Sequence, residues 1–351
     1  MASISGANSS GCIQVASTWG TAVAAGTGDK FAGEMSISAN GSVLSSRTIG
    51  SGQFMRSNFT RGSYIPTASI TADLGYRNNC DTLIAVFMGT SGAPTEVTAS
   101  QADYKHTITF NTTLNAKYVS FAFTDTGSTS QELPTAAVRS IGISTQSVPG
   151  YLDFTAELLG NAINYPGTTN TYAVTAATTF TEGTPELVAC DFVDAYRTNA
   201  QSGGSIATGN LYSITGFDFS MTRPQEIIPE IKGSAGLSAP VASGVAEGTF
   251  NVTVKELADQ AYYTVWSAET AQKASIDIQG TQIGSGTNKT FKLLLPRLLL
   301  VQEPQYALSS DGVNTLGLNF TIAVAGSNPT GMTSTYPYFE ITNGLSTSLL
   351  A

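Results

Sequence analysis

From Glu247 onward the chain alternates. Phe250, Val252 and Val254 fall on one side and Asn251, Thr253 and Lys255 on the other, the period-two pattern of a strand half buried in a sheet. After Lys255 the period changes. Leu257, Ala261, Tyr262, Val265 and Trp266 are spaced by three and four, which puts them on one face of a helix. Residues 247–269 therefore predict a strand running into a short amphipathic helix that covers something apolar. Residues 66–90 repeat the construction: Ile70, Ala72 and Leu74 alternate, and the run from Asp81 to Met88 reads against that from Asp259 to Trp266. Leu83 and Phe87 in the first unit, and Tyr262 and Trp266 in the second, are the expected packing residues of the two helices.

The neighbours of these units repeat as well. GEMSISAN, with Met35 and Ile37, resembles GFDFSMTR, with Phe217, Phe219 and Met221; AKYVSFAF (116–123) aligns with NKTFKLLL (288–295); LDFTAELLG (152–160) aligns with LNFTIAVAG (318–326). Offsets of 178 (Asp81 to Asp259), 172 (Phe121 to Leu293) and 166 (Phe154 to Phe320) drift in one direction, as a tandem duplication with loop deletions gives. A mainly β chain of two similar domains follows: an arm or edge strand at 1–30, a first domain at 31–205 that includes the inter-domain passage, and a second domain with a C-terminal tail at 206–351.

Taken in order, CIQVAST in the first thirty residues reads as an edge strand or as part of a flexible arm. Strands are expected over 31–43 and 52–59, with Asn40-Gly41 as a hairpin turn. Further strands follow at 107–110, 118–124, 138–143 and 151–158. Residues 187–197 fit a helix or a strand equally well. After the strand at 214–221 come the strands of the second half, ending with 316–324 and 336–341. Two long excursions, 50–62 and 227–246, occupy the same relative place in each half.

Composition narrows the function. Charged residues make up only 12% of the 351 and hydrophobic ones 41%, so the chain is not disordered, and its Ser/Thr-rich strands suit a surface largely covered by neighbours. A net charge of −9 with no Lys/Arg cluster argues against gripping a phosphate backbone. An acidic protein still suits a task in which DNA must slide past without sticking. Cys12, Cys80 and Cys190 are widely spaced and odd in number, giving neither a metal motif nor a disulfide framework. MASISGANSS lacks the charged and apolar regions of a signal peptide, and 293–301, interrupted by Pro296 and Arg297, is too short to span a membrane.

Catalytic chemistry has little to stand on. His106 is the single histidine, so no duplicated Ser–His–Asp arrangement or multi-histidine metal site exists. No phosphate-cradling GxxxxGK[ST] loop is present. Asp191 with Asp194, and Glu256 with Asp259, are the nearest carboxylate pairs, and a solvated helix face explains them better than glycosidic acid–base work. The Asn-x-Thr triplets at Asn58, Asn111, Asn251 and Asn319 read as strand composition. No cofactor, metal or catalytic residue is assigned, and the chain is not expected to be an enzyme.

IQVASTWGTAV (13–23), SITADLGYRNNCDTLIAVF and FNVTVKELADQAYYTVWSA, with the duplicated order of strand, long loop, strand–helix and further strands, resemble the tail tube (major tail) proteins of long-tailed bacteriophages, in their two-domain form. The resemblance implies two tandem β-barrel or β-sandwich domains, each with a flanking helix. It implies homotrimeric, pseudo-sixfold rings stacked into a virion tube for genome ejection, made in the host cytoplasm. Its partners would be other copies and the tape measure, tail terminator and baseplate proteins, with DNA passing through unbound. Inter-ring contacts would then come from the excursions, through Gln53, Phe54, Arg56, Phe59, Arg61, Ile228, Lys232 and Leu237. The alternative is a tandem β-sandwich recognition module, an adhesin or carbohydrate binder, with YPYF (336–339) as its aromatic cluster.

Overall fold

The structure is a computed structural model and describes residues 10–23, 30–31, 33–45, 59–114, 116–124, 130–145, 149–164, 186–190, 193–207, 210–228, 237–255, 261–307 and 315–351. Strands dominate. The first half contains β1 (Ser10–Ala16), β2 (Lys30–Phe31), β3 (Glu34–Ser45), β4 (Phe59–Asp73), α1 (Cys80–Met88), β5 (Gly89–Ser91), β6 (Thr95–Glu96), β7 (Tyr104–Phe110), β8 (Tyr118–Thr124), β9 (Ser130–Thr145) and β10 (Leu152–Gly160). The second contains β11 (Val193–Ala200), β12 (Leu211–Tyr212), β13 (Ile214–Thr222), β14 (Gln225–Glu226), β15 (Val241–Ala242), β16 (Glu247–Val254), α2 (Ala261–Ser267), β17 (Gln272–Gln282), β18 (Asn288–Leu300), β19 (Gln305–Ala307), β20 (Thr315–Ile322) and β21 (Tyr338–Asn343). Both strand-to-helix units read from the sequence are present, as β4–α1 and β16–α2.

All but β14 and β15 join one antiparallel network, which folds into two layers. The inner layer runs β3–β4–β10–β9–β13–β16–β20 across both halves. At its far side β20 pairs with the end of β18 and with β19. The outer layer holds β2–β1–β8 on the start of β9 and β12–β11–β17 on the start of β18, with β21 and β7 beyond. One apolar core lies between the layers and is continuous from Ile13 to Leu350.

Pairing reveals the internal repeat. β1–β8–β9–β10–β4–β3 in the first half is matched, strand for strand, by β11–β17–β18–β20–β16–β13 in the second. The long strands β9 and β18 each start in the outer layer and end in the inner one. Pro296 sits where β18 changes layer, between Leu295, paired with Ala274, and Leu298, paired with Ile322; a residue without an N–H is tolerated where no ladder bond is required.

The structure differs from the sequence reading in three places. β3 runs straight through Asn40-Gly41, which pair with Ile65 and Tyr64, because β4 supplies partners out to Phe59 and the hairpin is longer than a two-residue turn would make it. Val193–Ala200 is a strand that takes in the end of the ambiguous 187–197 stretch, while Leu187 and Ala189 make isolated bridges to Gly75 and Tyr151; Asp194 therefore does not sit on a helix. Its partners β12 and β17 both belong to the second half. AKYVSFAF, in β8, is the counterpart of β17 rather than of the start of β18. Successive strands of a meander share one alternation, so the pattern alone slid by a strand.

Candidate functional site: a polar sheet face with open edges

The inner layer buries one face and leaves the other polar. Register carries this across the sheet in rows: Glu34 is opposite Thr71, Thr71 opposite Thr155, Thr155 opposite Gly142, Gly142 opposite Ser220, Ser220 opposite Thr249, and Thr249 opposite Thr321. Because the side-chain period is two, one register for all strands puts every apolar set on the same side. Ile70, Phe154, Ile143, Phe219, Phe250 and Phe320 are buried on that side. Ser36 and Ser69, Ser38 and Thr67, and Ser220 and Thr249 meet through their hydroxyls at 2.7, 2.9 and 3.3 Å on the polar side.

That side is also acidic. Glu34, Asp73, Asp153, Glu157, Asp218 and Glu247 occupy its rows. Among the described residues, its cations include Arg139, beside the β9–β10 irregularity, Lys255, just past the end of β16, and Arg297, near the far edge. Sequence reasoning missed these six carboxylates as a group. The signal was present, since each occupies the polar beat of an apolar alternation, as Asp218 does between Phe217 and Phe219.

Among the described residues, no strand pairs with β3 on its side away from β4, nor with β19 on its side away from β20. An unpaired edge is a template for another strand. Between the two edges, β9 and β13 join the halves, with Ile141 opposite Met221 and Ile143 opposite Phe219.

Residues expected in the loops are dispersed. Phe59 and Arg61 belong to β4, opposite Ser45 and Val43. Gln53, Phe54, Arg56 and Lys232 lie outside the described residues. Ile228 is exposed, while the Leu237 carbonyl accepts a hydrogen bond from Trp19 Nε1 at 2.8 Å, fastening the second excursion to the N-terminal segment. Of the helix residues, Leu83, Phe87 and Tyr262 are buried and Trp266 is half-buried. α1 buries every residue except Thr82, whereas α2 buries Tyr262 alone.

The titratable groups in the interior tie segments together. Burial opposes charge on Asp103, but hydrogen bonds from Thr287 and Thr98 outweigh it and hold the carboxyl well below its usual range; the Thr287 N–H donates at 2.8 Å, linking the first half to the β17–β18 hairpin. Glu186 is likewise held down: burial is outweighed by Thr281 and Lys289, the latter at 3.0 Å. His106 Nε2 lies 3.1 Å from Asn343 Oδ1 and 3.0 Å from the Leu345 carbonyl, and burial lowers its pKa. Each of these groups is engaged in holding the fold.

No three His, Cys, Asp or Glu side chains among the described residues are grouped to hold a metal. Asp191, Glu256 and Asp259 lie outside the described residues. The YPYF cluster does not form an exposed aromatic face: Tyr338 and Phe339 are buried, and Tyr336 stacks on Phe110 at 5.6 Å. No helix among the described residues is long and apolar enough to cross a membrane.

A wide sheet that buries one face, offers a polar acidic one and ends in open edges is built to join others of its kind. Residues 6–324 match the profile of a family described as "Phage tail tube protein". The chain belongs to that family. Membership of the phage tail tube proteins gives it a structural role in the tail of a bacteriophage virion, makes enzymatic activity unsuited to it, and implies self-assembly into a tube with other tail components. Comparison with curated proteins finds no match.

Proposed function

We propose that this chain polymerises as stacked rings into the tail tube, the inner sheet forming the wall of a channel through which DNA is delivered. The observation that carries the reading is the inner sheet itself, which continues from β3 to β19 across both halves and ends in two edges without partners. Closing a sheet on itself removes such edges. The β9–β13 junction supplies a template for closure. Since β13 corresponds to β3, and the end of β18 to the end of β9, β3 of the next copy would extend the ladder where β18 and β19 end. Two domains per chain, with β11 and β12 counted in the second, then make a trimer a pseudo-sixfold ring.

The acidic face turns inward on this reading. Six carboxylates in each chain line the channel, where they repel phosphates instead of binding them. Electron microscopy of the purified chain at rising concentration, with mass measurement alongside, tests the proposal. Hollow tubes whose repeat has the mass of three chains are expected. Filaments without a lumen, or a repeat that is not a multiple of three chains, would overturn the trimeric ring.

A further inference from the structure

Each half carries a two-stranded ribbon at the same end of the inner sheet. In the first half β3 and β4 run on together past Thr67, the last residue of β4 to pair with β10. From Asn40 to Ser45 and from Phe59 to Ile65 they pair only with each other among the described residues. In the second half β13 and β16 meet for the last time at Thr222 and Glu247, and β14–β15 carries the hairpin on.

The second ribbon bends across the junction between the halves and lies on the first. Arg223 donates its backbone N–H to the Arg139 carbonyl at 2.8 Å and its Nη2 to the Asn111 carbonyl. Its guanidinium carbon is 4.4 Å from the Phe110 ring centre and 5.9 Å from that of Phe87 in α1. Gln225 Nε2 donates to the Val138 carbonyl at 3.5 Å, and Pro240 shares a small cleft with Val86, Leu114 and Tyr118. All of these partners belong to the first half. Val138 and Arg139 lie where β9 passes from the outer layer to the inner, between Ala136, paired with Val119, and Ser140, paired with Thr222.

What this ribbon helps to cover in α1 is left open in α2. Val86 and Phe87, two places and one before the end of α1, are 4% and 1% exposed. Val265 and Trp266 hold the same places in α2 and are only half-buried. The insertion of β5 and β7 supplies part of the cover of α1, and the ribbon supplies the part beside Val86 and Phe87. β18 makes the same layer crossing at Pro296, and among the described residues no ribbon crosses it.

In a closed ring of repeats, every junction brings the same two patches together. We propose that the first ribbon is the lateral clamp between copies. β3–β4 of one chain bends across the β18 crossing of its neighbour and covers Val265 and Trp266 of the neighbour's α2, as β14–β15 does for α1 within the chain. This rests on the tube reading and adds to it the partner of the first ribbon: a second copy in the same ring, not a copy in the ring above or below.

Two variants test it, each checked for cooperative thermal unfolding. In one, Asn-Gly replaces residues 39–66, a two-residue turn between Ser38 and Thr67, whose hydroxyls already meet at 2.9 Å. In the other, Trp266→Ala removes the largest side chain of the receiving helix. Electron microscopy and sedimentation follow assembly against concentration. The shortened chain is expected to stay monomeric where the wild type forms rings. W266A is expected to need at least about tenfold more protein to form them, as loss of an aromatic anchor at an interface gives. Rings of the shortened chain that form at the wild-type concentration but do not stack would assign the ribbon to the adjacent ring and overturn the clamp. Unchanged assembly of either variant overturns it as well. Should the shortened chain not fold, W266A decides alone. If the wild-type chain forms no rings at all, the tube reading fails first and takes the clamp with it.

Discussion

At the scale of single residues, Phe250 shows how alternation becomes stability. It is buried in β16, opposite Phe219 and Phe320 on its neighbours, with ring centres 6.3 Å from Phe217 and 6.4 Å from Phe320. Phe250→Ala removes the ring and leaves a cavity, at a cost of about 3–5 kcal/mol, measurable as a lower midpoint in chemical denaturation. His106 gives a pH dependence. Burial first, and the Arg77 charge in addition, lower its folded pKa, while hydrogen bonds to Leu345 and Asn343 oppose the shift. The unfolded chain therefore takes up a proton near the ordinary value of 6.5 while the folded one resists. Stability contributed by neutral His106 is complete above that value and is lost as pH falls below it. Thermal melts between pH 7.5 and 5.5 should show a decline that H106Q reduces. The polar beats of the strands were readable in the same alternation, yet a single sequence does not say that Glu34 and Glu247 share a face, because that depends on which strands become neighbours.

At the scale of elements, the two strand–helix units were legible because each joins a period of two to a period of about four without a break. Their surroundings were not. α1 is buried along its length beneath elements that include β5 and β7, an insertion without a counterpart after α2. Its end is set by Gly89, which adopts φ 89° and donates its N–H to the Ala85 carbonyl. Gly89→Ala forces a Cβ into the left-handed region and should cost about 1 kcal/mol, read in thermal unfolding with the fold retained. The Asn40-Gly41 reading failed for a different reason. That dipeptide signals a turn only where the strand has no further partner, and beyond a register shift at Ser42 β4 provides partners for three more residues, Val43 to Ser45. Residues 187–197 were ambiguous locally, and from Val193 onward the chain became a strand because β17 offered an edge.

For the whole molecule, the charge distribution predicts behaviour that no single contact gives. E157K combined with D218K reverses charge on the exposed face without touching the core. Tubes of this variant are expected to retain duplex DNA in a filter assay at low salt and release it as salt rises, whereas wild-type tubes retain little; equal retention would place the acidic face outside the channel. The β9–β13 ladder has a kinetic consequence. It is a junction between two repeats that never has to be found by diffusion, because the chain holds its partners at a high effective concentration. A ring of six separate repeats would close through six encounters; one of three fused pairs closes through three. The rate of ring formation at low concentration should then follow a lower power of protein concentration than a single-repeat tube protein shows. On the proposed trimeric ring, fusion would make early assembly less sensitive to how much protein the infected cell has yet made.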